Sequence, residues 1–136
     1  MAARVFGAAV DVSRVRVLAT PFPRAFVPGR WFGLDWICWP RATLVPDLSA
    51  APLSIRAVFV HELVHVHQAQ AGVKLLIGKL KAGDGPAAYA YAAVPECVWD
   101  GLNIEQQAMV VEHRYRLEEG GTAPGDRAFY DRVCPF

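Results

Sequence analysis

"VHELVHVHQ", residues 60 to 68, sets three histidines and a glutamate among valines, a leucine and a glutamine. The run sits inside a segment, from about Pro52 to Ala71, that reads as one helix. Proline suits a first turn, alanine and leucine support the interior, and Gly72 is a natural stop. Its apolar members, among them Ile55, Val58, Val60, Leu63 and Val66, fall all round the helix, so the helix is expected to be packed on most sides. Residues four apart on a helix lie one turn above each other, so His61 and His65 can offer two imidazoles to one ion. Glu62 is about 100° round from His61, near enough to hold a water beside that ion without being a ligand. Together they spell H-E-x-x-H, the zinc-site pattern in which the glutamate serves as base. Polar side chains buried there without a partner would cost on the order of a few kcal/mol each, which a metal would offset. His67, about 200° from His65, reads as a non-ligand.

A third ligand must come from elsewhere. The metzincin extension requires glycine and histidine where this chain has Gln68 and Ala71, so that class is excluded. Residues 103 to 117, "NIEQQAMVVEHRYRL", read as a second helix running to about Glu118, with Asn103 as N-cap and Gly120-Gly121 as stop. Glu105 is the candidate ligand there. Glu112 and His113 compete with it, although with Arg114, Arg116, Glu118 and Glu119 they fit a solvated charged face.

"HELVHVHQ" followed by "YAY" and "NIEQQA" resembles the small bacterial zincin-like proteins described as Vgr-related, near the DUF4157 group of metallopeptidase domains. The similarity spans about residues 30 to 120. What the resemblance implies is a minimal gluzincin-type α+β domain occupying 1–136, a small sheet with an edge strand packed before the active-site helix, and a second helix bearing the glutamate ligand. His61, His65 and Glu105 would hold Zn2+ and Glu62 would be the catalytic carboxylate. Members occur in phage-tail or type VI secretion contexts, which suggests partners of that kind. One departure is clear: larger gluzincins place an aspartate four residues after the ligand glutamate to orient a histidine, and here that position is Met109. Gln68, on the metal-facing side, is a candidate for the missing contact.

Two functions compete. One is a zinc-dependent metallopeptidase or amide hydrolase, with an extra donor drawn from Tyr89, Tyr91, His113 or Tyr115. The alternative is a non-catalytic zincin-like module of a phage-tail or type VI secretion assembly, with zinc as a staple. A closed structural site usually has four protein ligands, and three plus a water-activating carboxylate favours the enzyme.

The rest of the chain narrows the field. Fourteen basic against thirteen acidic residues, with no run of five like charges, leave no electrostatic footprint for nucleic acid or anionic membrane, so partners of those kinds are not indicated. No stretch approaches the roughly 18 apolar residues of a membrane span, and Asp11 and Arg14 interrupt the N-terminus before a signal-peptide core forms. Cytoplasmic synthesis without a signal peptide, with any export by a leaderless route, is expected. Cys38, Cys97 and Cys134, odd in number and widely spaced, argue against a disulfide framework. Residues 10–18 and 31–39 read as strands, 42–45 as a short extended piece, and the proline-rich stretch between Pro21 and Gly29 as connection. Residues 73–80 add a helical turn or two, 87–94 fit helix or strand, and the tail after Gly125 has room for one short helix.

Overall fold

The computed structural model describes residues 1–83 and 85–136. A short helix α1 (Ala2–Phe6) leads to a 3-10 turn at Val12–Arg14, where the Asp11 side chain accepts from the Ser13 N–H and hydroxyl at 3.1 and 2.6 Å. That local capping competes with extension, so the strand expected at 10–18 begins only at Val15. Strand β1 is Val15–Thr20, β2 is Phe26–Trp31 and β3 is Leu34–Pro40, in the spatial order β1-β3-β2. β1 pairs in parallel with β3, Val15 opposite Asp35 and Thr20 opposite Pro40, while β2 is antiparallel to β3.

β2 runs through the stretch read from sequence as a connection. Its register slips between Phe26 and Gly29, so that Val27 and Pro28 together face Ile37. Such a bulge leaves one residue out of the ladder, and a proline with no N–H is tolerated there. The hairpin closes through Phe32 and Gly33, at φ 52° and 75°, the positive pair of a two-residue turn matched to strand twist. β3 is the central strand, and the edge strand that the resemblance placed against the long helix is β2. No strand forms at 42–45: Arg41–Thr43 is a 3-10 turn with Leu44 extended after it, and Leu48–Ala50 is a second such turn.

Helix α2 (Leu53–Gln70) has Pro52 as its N-cap and Gly72, at φ 87°, just past its end. It lies between the sheet and the second long helix, which explains why its apolar residues face every side: Ala57, Val60, Leu63, Val64 and Val66 are all buried. The turns expected at 73–80 form α3 (Leu75–Ala82), and the ambiguous 87–94 becomes a single turn, α4 (Pro86–Tyr89), followed by coil. The second long helix, α5, is Ile104–Glu118, and the tail carries α6 (Arg127–Val133). Gly78 lets α3 approach α5, because a Cβ there would stand 2.7 Å from Ile104 Cδ1. One hydrophobic cluster joins Phe6, Ile37, Trp39, the α2 core, Val110, Val111 and Tyr130. All three cysteines are unpaired, and no helix among the described residues is long and apolar enough to cross a membrane.

Candidate metal centre

The two long helices meet along one seam, and that seam carries the titratable groups. α2 supplies His61, Glu62, His65 and Gln68, all buried, and α5 supplies Glu105 and Glu112, both buried. Glu105 is placed by the start of its helix. Asn103 Oδ1 accepts from the N–H groups of Glu105 and Gln106, each at 2.9 Å, and Gln106 Oε1 accepts in return from the Asn103 N–H at 3.0 Å. The same two side chains donate to the carbonyls of Ala88 and Ala90, at 3.0 and 2.5 Å, so the cap also anchors the backbone on either side of Tyr89.

Glu105 Oε2 lies 3.1 Å from His65 Nε2 and 3.3 Å from His61 Nε2, and one ligand atom from each of these three residues falls within 4.8 Å of the others. The group could hold a metal ion, and the remaining contacts show how its ligand atoms are aimed. His65 Nδ1 is 2.8 Å from Gln68 Oε1, while the Gln68 amide nitrogen donates to the Ile104 carbonyl at 3.1 Å and to Gln107 Oε1 at 2.9 Å. With its nitrogen so engaged, Gln68 presents its oxygen to His65 Nδ1, which donates to it and leaves Nε2 turned toward Glu105. His61 is held the same way by a carboxylate: Nδ1 is 3.1 Å from Glu112 Oε2, and Glu112 Oε1 accepts from Arg116 Nε and Nη2 at 2.9 and 2.6 Å. The orienting contact absent at Met109 is thus made by Glu112, two helical turns beyond Glu105.

Sequence reasoning had placed Glu112 on a solvated face or among rival ligands. It is buried, and in this structure it touches the far nitrogen of His61 rather than the ligand cluster. Its seven-residue spacing from Glu105 put it on the same side of α5, a signal masked by the charges around it. His113 is turned elsewhere, with Nδ1 2.6 Å from the Tyr91 hydroxyl, which also meets the Tyr130 hydroxyl at 2.7 Å. Tyr115 is buried against Arg56, which donates to its oxygen at 2.7 Å. His67 faces the Ala9 carbonyl and the Phe136 ring, away from the cluster.

Beside the cluster opens a cavity of about 440 Å³. Its polar wall is His61, Glu62, Glu112 and Tyr89, and its apolar wall includes Trp39, Ile55, Val58 and Met109, with Arg24 at the side. Of the four donor candidates, Tyr89 alone lines this cavity, its ring centroid 6.3 Å from that of His61. Glu62 Oε2 is buried and has no hydrogen-bond partner. A carboxylate oxygen kept that way at a cavity wall is available to a water or a substrate, at a desolvation cost that a purely structural side chain would not incur.

In the metal-free protein the charges compensate each other. Burial disfavours the charged His61 ring, but hydrogen bonding to Glu105 and Glu112 outweighs it and pushes the pKa up to about 9. Burial likewise opposes ionisation of Glu105, and the contacts with His61 and His65 hold its carboxyl far below the usual range. Glu112 is lowered too, against burial, by His61 and Arg116. A raised folded-state pKa stabilises most below the unfolded value of 6.5 and loses that contribution as the ring deprotonates. The melting temperature of chelator-treated protein is therefore expected to fall between pH 6.5 and about 9; a flat or rising profile would show that His61 is not held as the cation.

No protein-family model matches the sequence. The chain is 34% identical, over 95% of its length, to the type VI secretion system spike protein VgrG2b of Pseudomonas aeruginosa, and spans 13% of that protein. Among solved structures, the effector domain of Pseudomonas aeruginosa VgrG2b matches it with a TM-score of 0.69 and 27% identity, covering 96% of this chain and 74% of that one. The chain thus resembles a part of that spike protein and shares the fold of its effector domain.

Proposed function

We propose that this chain is a secretion-associated, effector-type domain whose His61–His65–Glu105 site takes zinc and hydrolyses a peptide or amide bond. The likeness to a spike protein and its effector domain supports the association with a secretion assembly. The hydrolytic part rests on one observation: Glu62 Oε2, buried and without a partner, stands at the cavity wall beside three convergent ligands.

Two histidine nitrogens and one carboxylate oxygen on two helices are the donor set of a zincin-like site with an open coordination position. Bound there, zinc would polarise a carbonyl and lower the pKa of a water. Glu62 would take a proton at Oε2 and return it to the leaving amine. Tyr89, its loop pinned by Asn103 and Gln106, would donate a hydrogen bond to the substrate from beside His61. Glu112 and Gln68 would fix the two imidazoles. Glu112→Gln is expected to weaken zinc binding by about 10- to 100-fold, the usual cost of losing such an orienting partner. Competition with a chromogenic chelator measures it, and an unchanged affinity would make the Glu112 contact incidental.

The second reading, a non-catalytic module of a secretion assembly in which zinc only staples the fold, is supported by the likeness to a spike protein and its effector domain. The test is turnover by the zinc-loaded chain on a panel of peptides and cell-wall fragments. Hydrolysis abolished by Glu62→Gln supports the enzyme, and no turnover across the panel supports the module.

A further inference from the structure

Away from the metal site, the largest exposed apolar groups gather where β2 runs beside α3. Leu76 and Leu80 are 72% and 75% exposed and Ile77 is 46% exposed, their spacing puts these three on one helical face, and Val73, 40% exposed, lies just before the helix. Strand β2 and the start of α3 wall a common groove, with Gly29 and Arg30 on one side and Val73 and Leu76 on the other. Just past Arg30 the hairpin tip holds up Trp31, 55% exposed, and Phe32, 100% exposed. Phe32 adopts φ 52°, a conformation that a two-residue hairpin usually gives to asparagine or glycine. A bulky aromatic ring kept fully in water on a strained backbone gains nothing from packing within this chain.

Basic residues predominate around these groups. Residues 71–83 contain three lysines and no acid, and residues 24–34 contain two arginines and no acid. Lys79 reaches Glu105 at 3.6 Å and Arg30 reaches Asp35 at 2.9 Å, whereas exposed Lys74 and Lys81 have no ion pair among the described residues. On a helical wheel Lys81 borders one side of the leucine stripe and Lys79 the other, and Lys74 caps the helix at its start. The balanced charge of the whole chain conceals this local surplus.

We infer that this face docks on an anionic lipid surface, with Phe32, Trp31, Leu76 and Leu80 entering the headgroup boundary and the lysines meeting lipid phosphates. Apolar stripes bordered by basic residues bind interfaces in this way, without crossing them. A second copy of the chain is a poorer occupant, because a twofold contact through the face would bring lysines against lysines. The inference does not depend on the metal site or on hydrolysis.

Flotation of the full chain with vesicles tests it. The chain is expected to float with vesicles of phosphatidylcholine and phosphatidylglycerol in equal parts, and not with phosphatidylcholine alone. The pair Leu76→Ser and Leu80→Ser is expected to weaken binding by more than about 10-fold, and Phe32→Ser to weaken it separately. Lys74→Gln with Lys81→Gln should weaken it most at low salt. These side chains are exposed, so melting temperature and metal content should hold in every variant. Absence of flotation, equal binding to neutral vesicles, or a dimer of the parent chain dispersed by the leucine substitutions would each overturn the inference, as would capture by an acidic polypeptide in place of vesicles.

Discussion

Glu62→Gln is expected to lower hydrolysis by about 10²- to 10⁴-fold, the range associated with losing a general base, while leaving zinc in place. Glutamine has the shape of glutamate and keeps the side chain at the cavity wall, but it cannot accept a proton. His61, His65 and Glu105 make their contacts with one another, with Glu112 and with Gln68, and none of these runs through Glu62. Ligand geometry should therefore survive the exchange. Stability should hold or rise, because a buried carboxylate oxygen without a partner is replaced by a neutral group. Turnover, zinc content and melting temperature of the pair separate the two functional readings. Loss of turnover at constant zinc marks an enzyme, and equal silence of both forms marks a module. Turnover within a few-fold of the parent on a verified substrate would remove Glu62 from the role of base.

Zinc removal is expected to lower the melting temperature by about 10 °C when the loaded protein is compared with free zinc at 100 to 1,000 times its dissociation constant, a linkage worth about 2.7–4.1 kcal/mol. The chain should remain folded. Small zinc domains that unfold without metal have little else to hold them, whereas here a buried cluster runs from Phe6 to Cys134 around α2. The metal-free site also has its own compensation, since a protonated His61 bridges Glu105 and Glu112. An unchanged melting temperature after verified zinc loss would mean that the site contributes nothing to the fold, and would remove the staple from the module reading.

How much of this was legible in the sequence depended on whether the deciding signal was local. α2 and its two histidines were readable because the four-residue spacing and the all-round apolar pattern lie within one helix. Glu105 was readable because Asn103 marks the start of its helix, and the structure adds that Gln106 completes the cap. β2 was hidden because Pro28 and Gly29 look like a break, and only the pairing with β3 shows that a bulge accommodates them. Glu112 was hidden by its neighbours: Arg114, Glu118 and Glu119 are the company of a solvated face, and the packing of α5 on α2, a long-range event, buries Glu112 against His61. Tyr89 could not be separated from Tyr91 or Tyr115, because which tyrosine reaches the cavity depends on how the coil around α4 is pinned to α5.

Metal analysis of the purified chain and of its ligand variants tests the central claim most directly. After exposure to zinc and removal of the excess, the parent is expected to carry one zinc per chain, and His61→Ala, His65→Ala and Glu105→Ala are each expected to lose it while remaining folded. A folded parent that retains no zinc, or a Glu105→Ala variant that retains it fully, would contradict the site assembled here from α2 and α5.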